Sequence, residues 1–390
     1  MKAIVVALGS VGDVLSFLKV AIALRQRGHD VVVLSHSWDE PLIRDACLEF
    51  HPILDLETAK EALNHPDLFH PGKRLEIIET HFYFPAIQPV YRFIQMNVVG
   101  EITLAVAPPW AFGARLAQEK HGISLVTVLQ APWHLHEGSH QFIPMDNERY
   151  APLDRIRQDI GLGPLMTSIT SWRCSPEKII GLFPGWFGKH EAWPSHAHLT
   201  NFPGIDQSVT GKMNERLEEF LAANGGPPLV FTPGTAMAQG KNFFQESIDA
   251  CQLIGKRAIF LSLYPKQVPF HLPENIQHYD YIPLNRLLPH ADALIYHGGI
   301  GTCAHGLRAG IPHLAMPIVY DHYDNANRIQ ELGVGDQIER ENYKAATVAE
   351  KLENLLNSSS VQESCQNIKA QLKQENAIEM ACSLIESTIR

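Results

Sequence analysis

MKAIVVALGSVGDVLSFLKVAIALRQRGHDVVVL, residues 1–34, reads as a strand (Lys2–Leu8), a glycine-containing turn (Gly9–Asp13), a helix (Val14–Arg27), the pair Gly28-His29 and a second strand (Asp30–Leu34). The first strand is a near-continuous apolar run, as expected of a strand buried on both faces, and the helix repeats apolar residues at Leu15, Leu18, Ala21, Ile22 and Leu24. Together these make a βαβ unit, and the fold class that follows is α/β with a parallel sheet. Lys2 before an apolar stretch is also how a secretion signal begins, but Asp13 interrupts the stretch and no small-residue cleavage site follows.

Outward from this unit the pattern continues. Ile102–Ala107, Ser124–Leu129 and Lys178–Phe183 read as strands, with helical patterns between them that include Ala111–Lys120, ended by Gly122. From Phe202 to Pro228 the chain runs through Pro and Gly turns around one short polar helix, Asn214–Asn224, which has the look of a connector. The alternation then restarts with strand Pro228–Thr232, turn Pro233–Gly240, helix Asn242–Ile254, and strands Arg257–Leu263 and Ala293–Tyr296. The tail, Thr347–Asn357 and Val361–Arg390, is helical by periodicity. A chain of 390 residues is long enough for two cores of ordinary size. The expected organisation is a first Rossmann-like domain over 1–205, a linker over 206–227, a second Rossmann-like domain over 228–375, and a C-terminal helix over 376–390 that packs back on the first.

Composition narrows the function. Hydrophobic residues are 45% and charged residues 19%, which is globular, and the net charge of −10 supplies no basic stripe for nucleic acid. The six cysteines are far apart with no C-x-x-C pair, which suits a reducing compartment. The apolar run Ile102–Ala114 contains Pro108 and Pro109 and is too short to span a bilayer. A cytoplasmic protein is the expectation.

In open α/β sheets, ligands bind beyond the carboxyl ends of the strands, which directs attention to three loops. His297-Gly298-Gly299-Ile300-Gly301-Thr302 follows a strand and opens a helix. Glycines there let backbone N–H groups approach a pyrophosphate at a positive helix end, with His297 and Thr302 as further donors. The same residues equally serve a merely tight turn. Pro317 to Ala326 follows the strand His313–Met316; Asp321 as an N-cap and Asp324 in the first turn need no function, yet side chains at that edge could also hold sugar hydroxyls. Gly9-Ser10-Val11-Gly12-Asp13 lacks the G-x-G-x-x-G spacing of a dinucleotide site. Asp13 either caps its helix or is a carboxylate placed to deprotonate an acceptor hydroxyl.

These segments resemble nucleotide-sugar-dependent glycosyltransferases of the GT-B fold, the UDP-glycosyltransferase-like group that includes plant natural-product, antibiotic and sterol enzymes. His297–Thr302 followed by Pro317…Asp321-His322-Tyr-Asp-Asn-Ala326 is similar to the donor signature in content and spacing, and Gly9–Asp13 resembles its G-x-x-G-D turn. Within the group the likeness is greatest to the catalytic subunit of rhamnolipid rhamnosyltransferases, through Gly9–Val14, Ser175–Phe187, Phe202–Asp206, Leu229–Thr235 and Tyr281–Asn327.

The resemblance implies two Rossmann-like domains whose parallel sheets face across a cleft, and an inverting hexosyltransfer with no metal and no cofactor beyond the UDP- or dTDP-sugar donor. It implies Asp13 as the base and Tyr281, Ile282 and Pro283 at the nucleobase. Gly234, Thr235, His297, Gly299, Gly301 and Thr302 would lie about the phosphates, and Asp321 and His322 on the transferred sugar. Three positions depart from the pattern: His322 stands for the usual Gln, His305 for a ribose-binding Glu, and Ser16 for a proline. The acceptor class implied is a hydroxylated small molecule or lipid, the latter with peripheral membrane contact.

Two other classes compete. His134-Leu-His136 with His140, and His196-Ala-His198, raise a metalloenzyme, although no carboxylate or Cys stands at ligand spacing. A GT-B epimerase would turn over nucleotide sugar without any acceptor. The aromatic residues Phe183, Trp186, Phe187 and Trp193, with Trp133 and Phe142, suit either an acceptor site or core.

Overall fold

The computed structural model describes residues 1–57, 65, 67–68, 73–98, 103–135, 147–188, 190–191, 193–204, 215–234, 240–372 and 376–389. They form two compact units, Met1–Gly204 with Asn376–Arg390, and Ile205–Glu375.

Unit 1 is built on seven parallel strands: β1 (Lys2–Val6), β2 (Asp30–His36), β3 (Glu49–Leu54), β4 (Thr103–Ala107), β5 (Ser124–Leu129), β6 (Lys178–Gly181) and β7 (Ala197–Leu199). Their order is β3-β2-β1-β4-β5-β6-β7, with Lys2 of β1 facing Asp30 on one side and Thr103 on the other. The chain thus winds outward from β1 and then reverses to β4, so the β1/β4 gap is the switch point where such sheets open a crevice. Alternation along β1 sends Ala3, Val5 and Ala7 to one core and Ile4, Val6 and Leu8 to the other. Helix α1 (Val11–Gln26) covers the first core; α2 (Phe84–Met96) and α3 (Phe112–His121) cover the second.

Unit 2 repeats the plan with β8 (Leu229–Thr232), β9 (Ala258–Leu261), β10 (Ile276–Tyr279), β11 (Ala293–Tyr296), β12 (His313–Ala315) and β13 (Gly335–Gln337). All pairs are parallel, in the order β10-β9-β8-β11-β12-β13, which matches the first six strands of unit 1. Its helices include α4 (Lys241–Leu253), α5 (Ile300–Ala309), α6 (Tyr320–Glu331), α7 (Ala345–Asn357) and α8 (Ser359–Gln371). The last helix, α9 (Ala377–Glu386), belongs to unit 1, where Ala381, Cys382 and Ile385 join the core beneath α1.

Several sequence expectations need correction. The helix of the opening unit begins at Val11 rather than Val14, because Ser10 and not Asp13 is its N-cap. Asp13 occupies the third helical position and reaches back, its Oδ2 accepting from the Ser10 N–H and Oγ at 2.8 Å each, as in a capping box. Asp321 is likewise not a cap: α6 starts at Tyr320 behind an extended Val319, which leaves Asp321 in the first turn. The tail is not continuous, since Asn376 starts a new helix by accepting from the Glu379 N–H at 3.3 Å. The short polar helix, Glu215–Ala222, is fixed at its end by the buried Arg257, which donates to the carbonyls of Phe220, Ala223 and Gly226.

Candidate functional site

In unit 1 the turn after β1 is tightly specified. Gly9 has φ +135°, and a β-carbon there would lie 2.5 Å from Asp13 Oδ2, so only glycine lets the carboxylate fold back to Ser10. Gln130, after β5, donates from Nε2 to the Asp13 carbonyl at 2.8 Å. Trp110, after β4, donates from Nε1 to the Leu8 carbonyl at 3.0 Å. The carboxyl ends of β1, β4 and β5 are therefore bound together around Asp13, at the switch point of the sheet. Asp13 itself is half-buried, and on its helix Val11 and Leu15 are left 47% and 41% exposed.

In unit 2 the loops after β8, β11 and β12 meet. The His297 ring lies against Gly234 and Gly299, where a β-carbon would come within 2.8 and 2.4 Å of it. Its other neighbour is the His322 ring, edge-on at 4.8 Å. Burial, then the His322 ring, push the His297 pKa well below the usual histidine range, against a hydrogen bond that the ring donates to the Thr232 main-chain carbonyl. His297 is thus neutral at pH 7, and its buried Nδ1 has no hydrogen-bond partner among the described residues.

Gly298 has φ +87°, and a β-carbon there would meet the His322 carbonyl at 2.8 Å. Asn325, which is fully buried, donates from Nδ2 to the Gly298 carbonyl at 3.0 Å and so pins α6 to the turn that opens α5. Gly299 and Val319 precede the two helices and provide no side-chain cap. Both first turns present the positive end of a helix dipole.

A β-carbon at Gly301 would meet nothing within 4 Å, and Thr302 stands beside it in the first turn of α5. Asp321 Oδ1 lies 4.0 Å from His322 Nε2. Tyr281 is exposed, Ile282 is buried, and Pro283 opens the short helix Leu284–Leu287, which packs on α5. His305 is half-buried one turn further along α5.

The structure thus gathers Gly234, His297, Gly299, Gly301, Thr302, Asp321 and His322 at one sheet edge. Thr235, and His136, His140 and Phe142 of the rival readings, lie outside the described residues. Among the described residues no group of three or more His, Cys, Asp or Glu side chains is arranged to hold a metal ion. No helix among them is long and apolar enough to cross a membrane. Of the aromatic run, Phe183 and Phe187 are buried core, and Trp186 keeps one edge exposed. Asn325, Gln130 and Trp110 were not singled out by sequence; Asn325 alone leaves a trace there, as an amide beside the Asp321–Asp324 run.

Residues 260–386 match the family described as Erythromycin biosynthesis protein CIII-like, C-terminal domain. Along 99% of its length the chain is 23% identical to the O-mycaminosyltylonolide 6-deoxyallosyltransferase of Streptomyces fradiae, 97% of which is covered. Two solved structures share the fold. The glycotransferase of kitacinnamycin superposes with a TM-score of 0.80 at 15% identity, covering 100% of this chain and 99% of that one. The spinosyn rhamnosyltransferase SpnG complexed with thymidine diphosphate superposes with a TM-score of 0.74 at 17% identity, covering 99% and 100%. The chain has the fold of the GT-B glycosyltransferases, and its residues 260–386 are similar to the EryCIII-like C-terminal domain.

Proposed function

We propose that the protein is an inverting, metal-independent transferase that moves a hexose or deoxyhexose from a UDP- or dTDP-sugar to a hydroxyl of a small-molecule or lipid-like acceptor. The observation that carries this reading is the pair of helix starts without side-chain caps around the buried, neutral His297. A diphosphate supplies what such a place lacks, namely acceptor oxygens and negative charge.

In this reading the N–H groups of Gly301 and Thr302, the Thr302 hydroxyl and His297 hold the diphosphate, and Asp321 and His322 hold the sugar. Tyr281, Ile282 and Pro283 lie against the base, and Gly234 and Thr235 complete the phosphate side. The Asp13 carboxylate takes the proton of the acceptor hydroxyl as its oxygen bonds to the anomeric carbon. The bond from that carbon to the diphosphate breaks, and its electron pair leaves on a phosphate oxygen that the helix N–H groups stabilise.

A deoxyhexose on a thymidine carrier has support in the names of two similar proteins, a deoxyallosyltransferase and a rhamnosyltransferase holding thymidine diphosphate. His322, in place of Gln, is the residue through which the sugar would differ from glucose. The rhamnolipid branch and its lipid-like acceptor belong to the same reading. Membrane contact has its support in unit 2, where Phe270 stands 94% exposed near Lys241 and Lys266. Binding to vesicles of anionic phospholipid that Phe270→Asp abolishes is expected; equal recovery of both proteins in the supernatant would remove membrane contact from the proposal.

The test of the donor reading is thermal shift with UDP, dTDP and their sugars, since a ligand of the folded state alone must raise its melting temperature. A rise with one diphosphate that His297→Ala abolishes is expected. No rise with any of them would sink it.

A further inference from the structure

Unit 2 holds a cavity of about 800 Å³ that none of the residues gathered around His297 lines. Its walls are Arg216 of the short polar helix, Lys241 at the first position of α4, the loop 265–270 after β9, and His278 of β10. Arg216, Lys241 and Lys266 bring three cations to it and no carboxylate lines it, in a chain whose net charge is −10. Asp280, outside the lining, comes only to 3.9 Å from His278 Nε2. Lys241 and Lys266 make no ion pair among the described residues, and the Arg216 guanidinium lies 5.3 Å from the centre of the Tyr279 ring. Like charges gathered at one place repel, and an anion that they share relieves the repulsion.

The loop that carries Lys266 is fixed rather than slack. Gln267, 3% exposed, accepts from the Gly240 N–H at 2.5 Å and donates from Nε2 to Ser262 Oγ at 2.5 Å. A β-carbon at Gly240 would lie 2.6 Å from Gln267 Oε1, so glycine is what lets the amide reach the residue before Lys241. The Tyr264 N–H donates to Ser262 Oγ at 3.0 Å, and the Val268 N–H to the Pro265 carbonyl at 3.1 Å. A buried amide thus sets Lys266 beside Lys241. Phe270, 94% exposed, stands at the rim, and Leu263 and Tyr264 of the same loop are 50% and 39% exposed. Apolar side chains held out on a bonded loop mark a surface that a ligand covers.

We propose that this cavity is an anion site separate from the His297 cluster, which takes the phosphate of a phosphate ester. Lys241 and Lys266 supply compact charges to its oxygens and Arg216 a planar fork. The ester belongs either to a lipid headgroup, whose chains then lie against Phe270, Leu263 and Tyr264, or to a soluble phosphate. The site stands outside the transfer reaction and does not depend on it.

The experiment compares glycerol 3-phosphate with dihexanoylphosphatidate, which share the glycerol phosphate and differ in the two short chains. Dissociation constants are read by titration calorimetry of the whole chain, with the lipid below its micellar concentration and no nucleotide sugar present. Both probes are expected to bind wild-type protein, and Lys241→Gln with Lys266→Gln to weaken each by about tenfold. His297→Ala should leave both constants unchanged. The ratio of the two constants identifies the source. Phosphatidate bound about tenfold more tightly, with the gain lost in Phe270→Asp, assigns the site to a lipid headgroup. Equal constants assign it to a soluble ester.

Binding of neither probe, constants unmoved in the double lysine variant, or binding that His297→Ala abolishes would overturn the proposal. Both lysines are exposed, so the double variant should melt as the wild type does. Should it fail to fold, Lys266→Gln alone decides: a weakening of about threefold is expected, and none would refute the site.

Discussion

A methyl group at Gly9 would strike the carboxylate that Asp13 folds back onto Ser10, and the backbone there lies where side chains are disfavoured. Gly9→Ala is therefore expected to displace the Asp13 carboxylate, and the loss should appear in kcat more than in donor affinity. Asp13→Asn keeps an oxygen for the Ser10 N–H, so its stability should change by less than about 1 kcal/mol. Turnover should fall by about 10²–10⁴-fold if the carboxylate is the base. Steady-state rates with donor binding followed in parallel check both variants, and an Asp13→Asn enzyme of unchanged kcat would place the base elsewhere.

At the scale of elements, the start of α6 is held by one amide. Asn325→Ala leaves the buried Gly298 carbonyl without its donor, for an expected loss of about 1–3 kcal/mol and a raised KM for the nucleotide sugar. Thermal unfolding and initial rates measure this; a variant with wild-type KM would show that the turn keeps its shape unaided. The same elements show what was legible in the sequence. The turns after β1, β11 and β12 could be read because an apolar run, glycines and a helical period stand together at each.

The edge strand β10, Ile276-Gln-His-Tyr, and β13, Gly335-Asp-Gln, carry polar residues and are strands chiefly through main-chain pairing with a neighbour. Pro85 and Pro89 hide α2, which is held by burying Ile87, Val90, Tyr91 and Ile94. The cluster around His297 was legible in that its residues are local to two helix starts. Trp110 and Gln130 were not, because tertiary folding alone brings them to the Asp13 turn.

At the scale of the whole molecule, α9 is fastened to unit 1 by charge as well as by packing. Arg27 pairs with Glu379 and Glu386 at 2.5 and 2.7 Å, and His29 Nε2 lies 2.7 Å from Glu386. The hydrogen bond from His29, then Arg27, hold the Glu386 carboxyl below its usual 4.5. A carboxylate whose pKa is lower in the folded state adds stability above its unfolded value and loses it as pH falls through the folded one. The melting temperature should therefore drop on acidification below about pH 4.5 by less in Glu386→Gln than in the wild type. Parallel acid-melting curves would show this pair to be idle.

Because α9 follows all of unit 2 in the chain but completes the core beneath α1, unit 2 is an insertion within unit 1. On the ribosome, residues 205–375 are made while Ala21 and Leu24 still wait for Ala381 and Ile385. The face of α1 that α9 covers therefore stays open until residues 205–375 have been made.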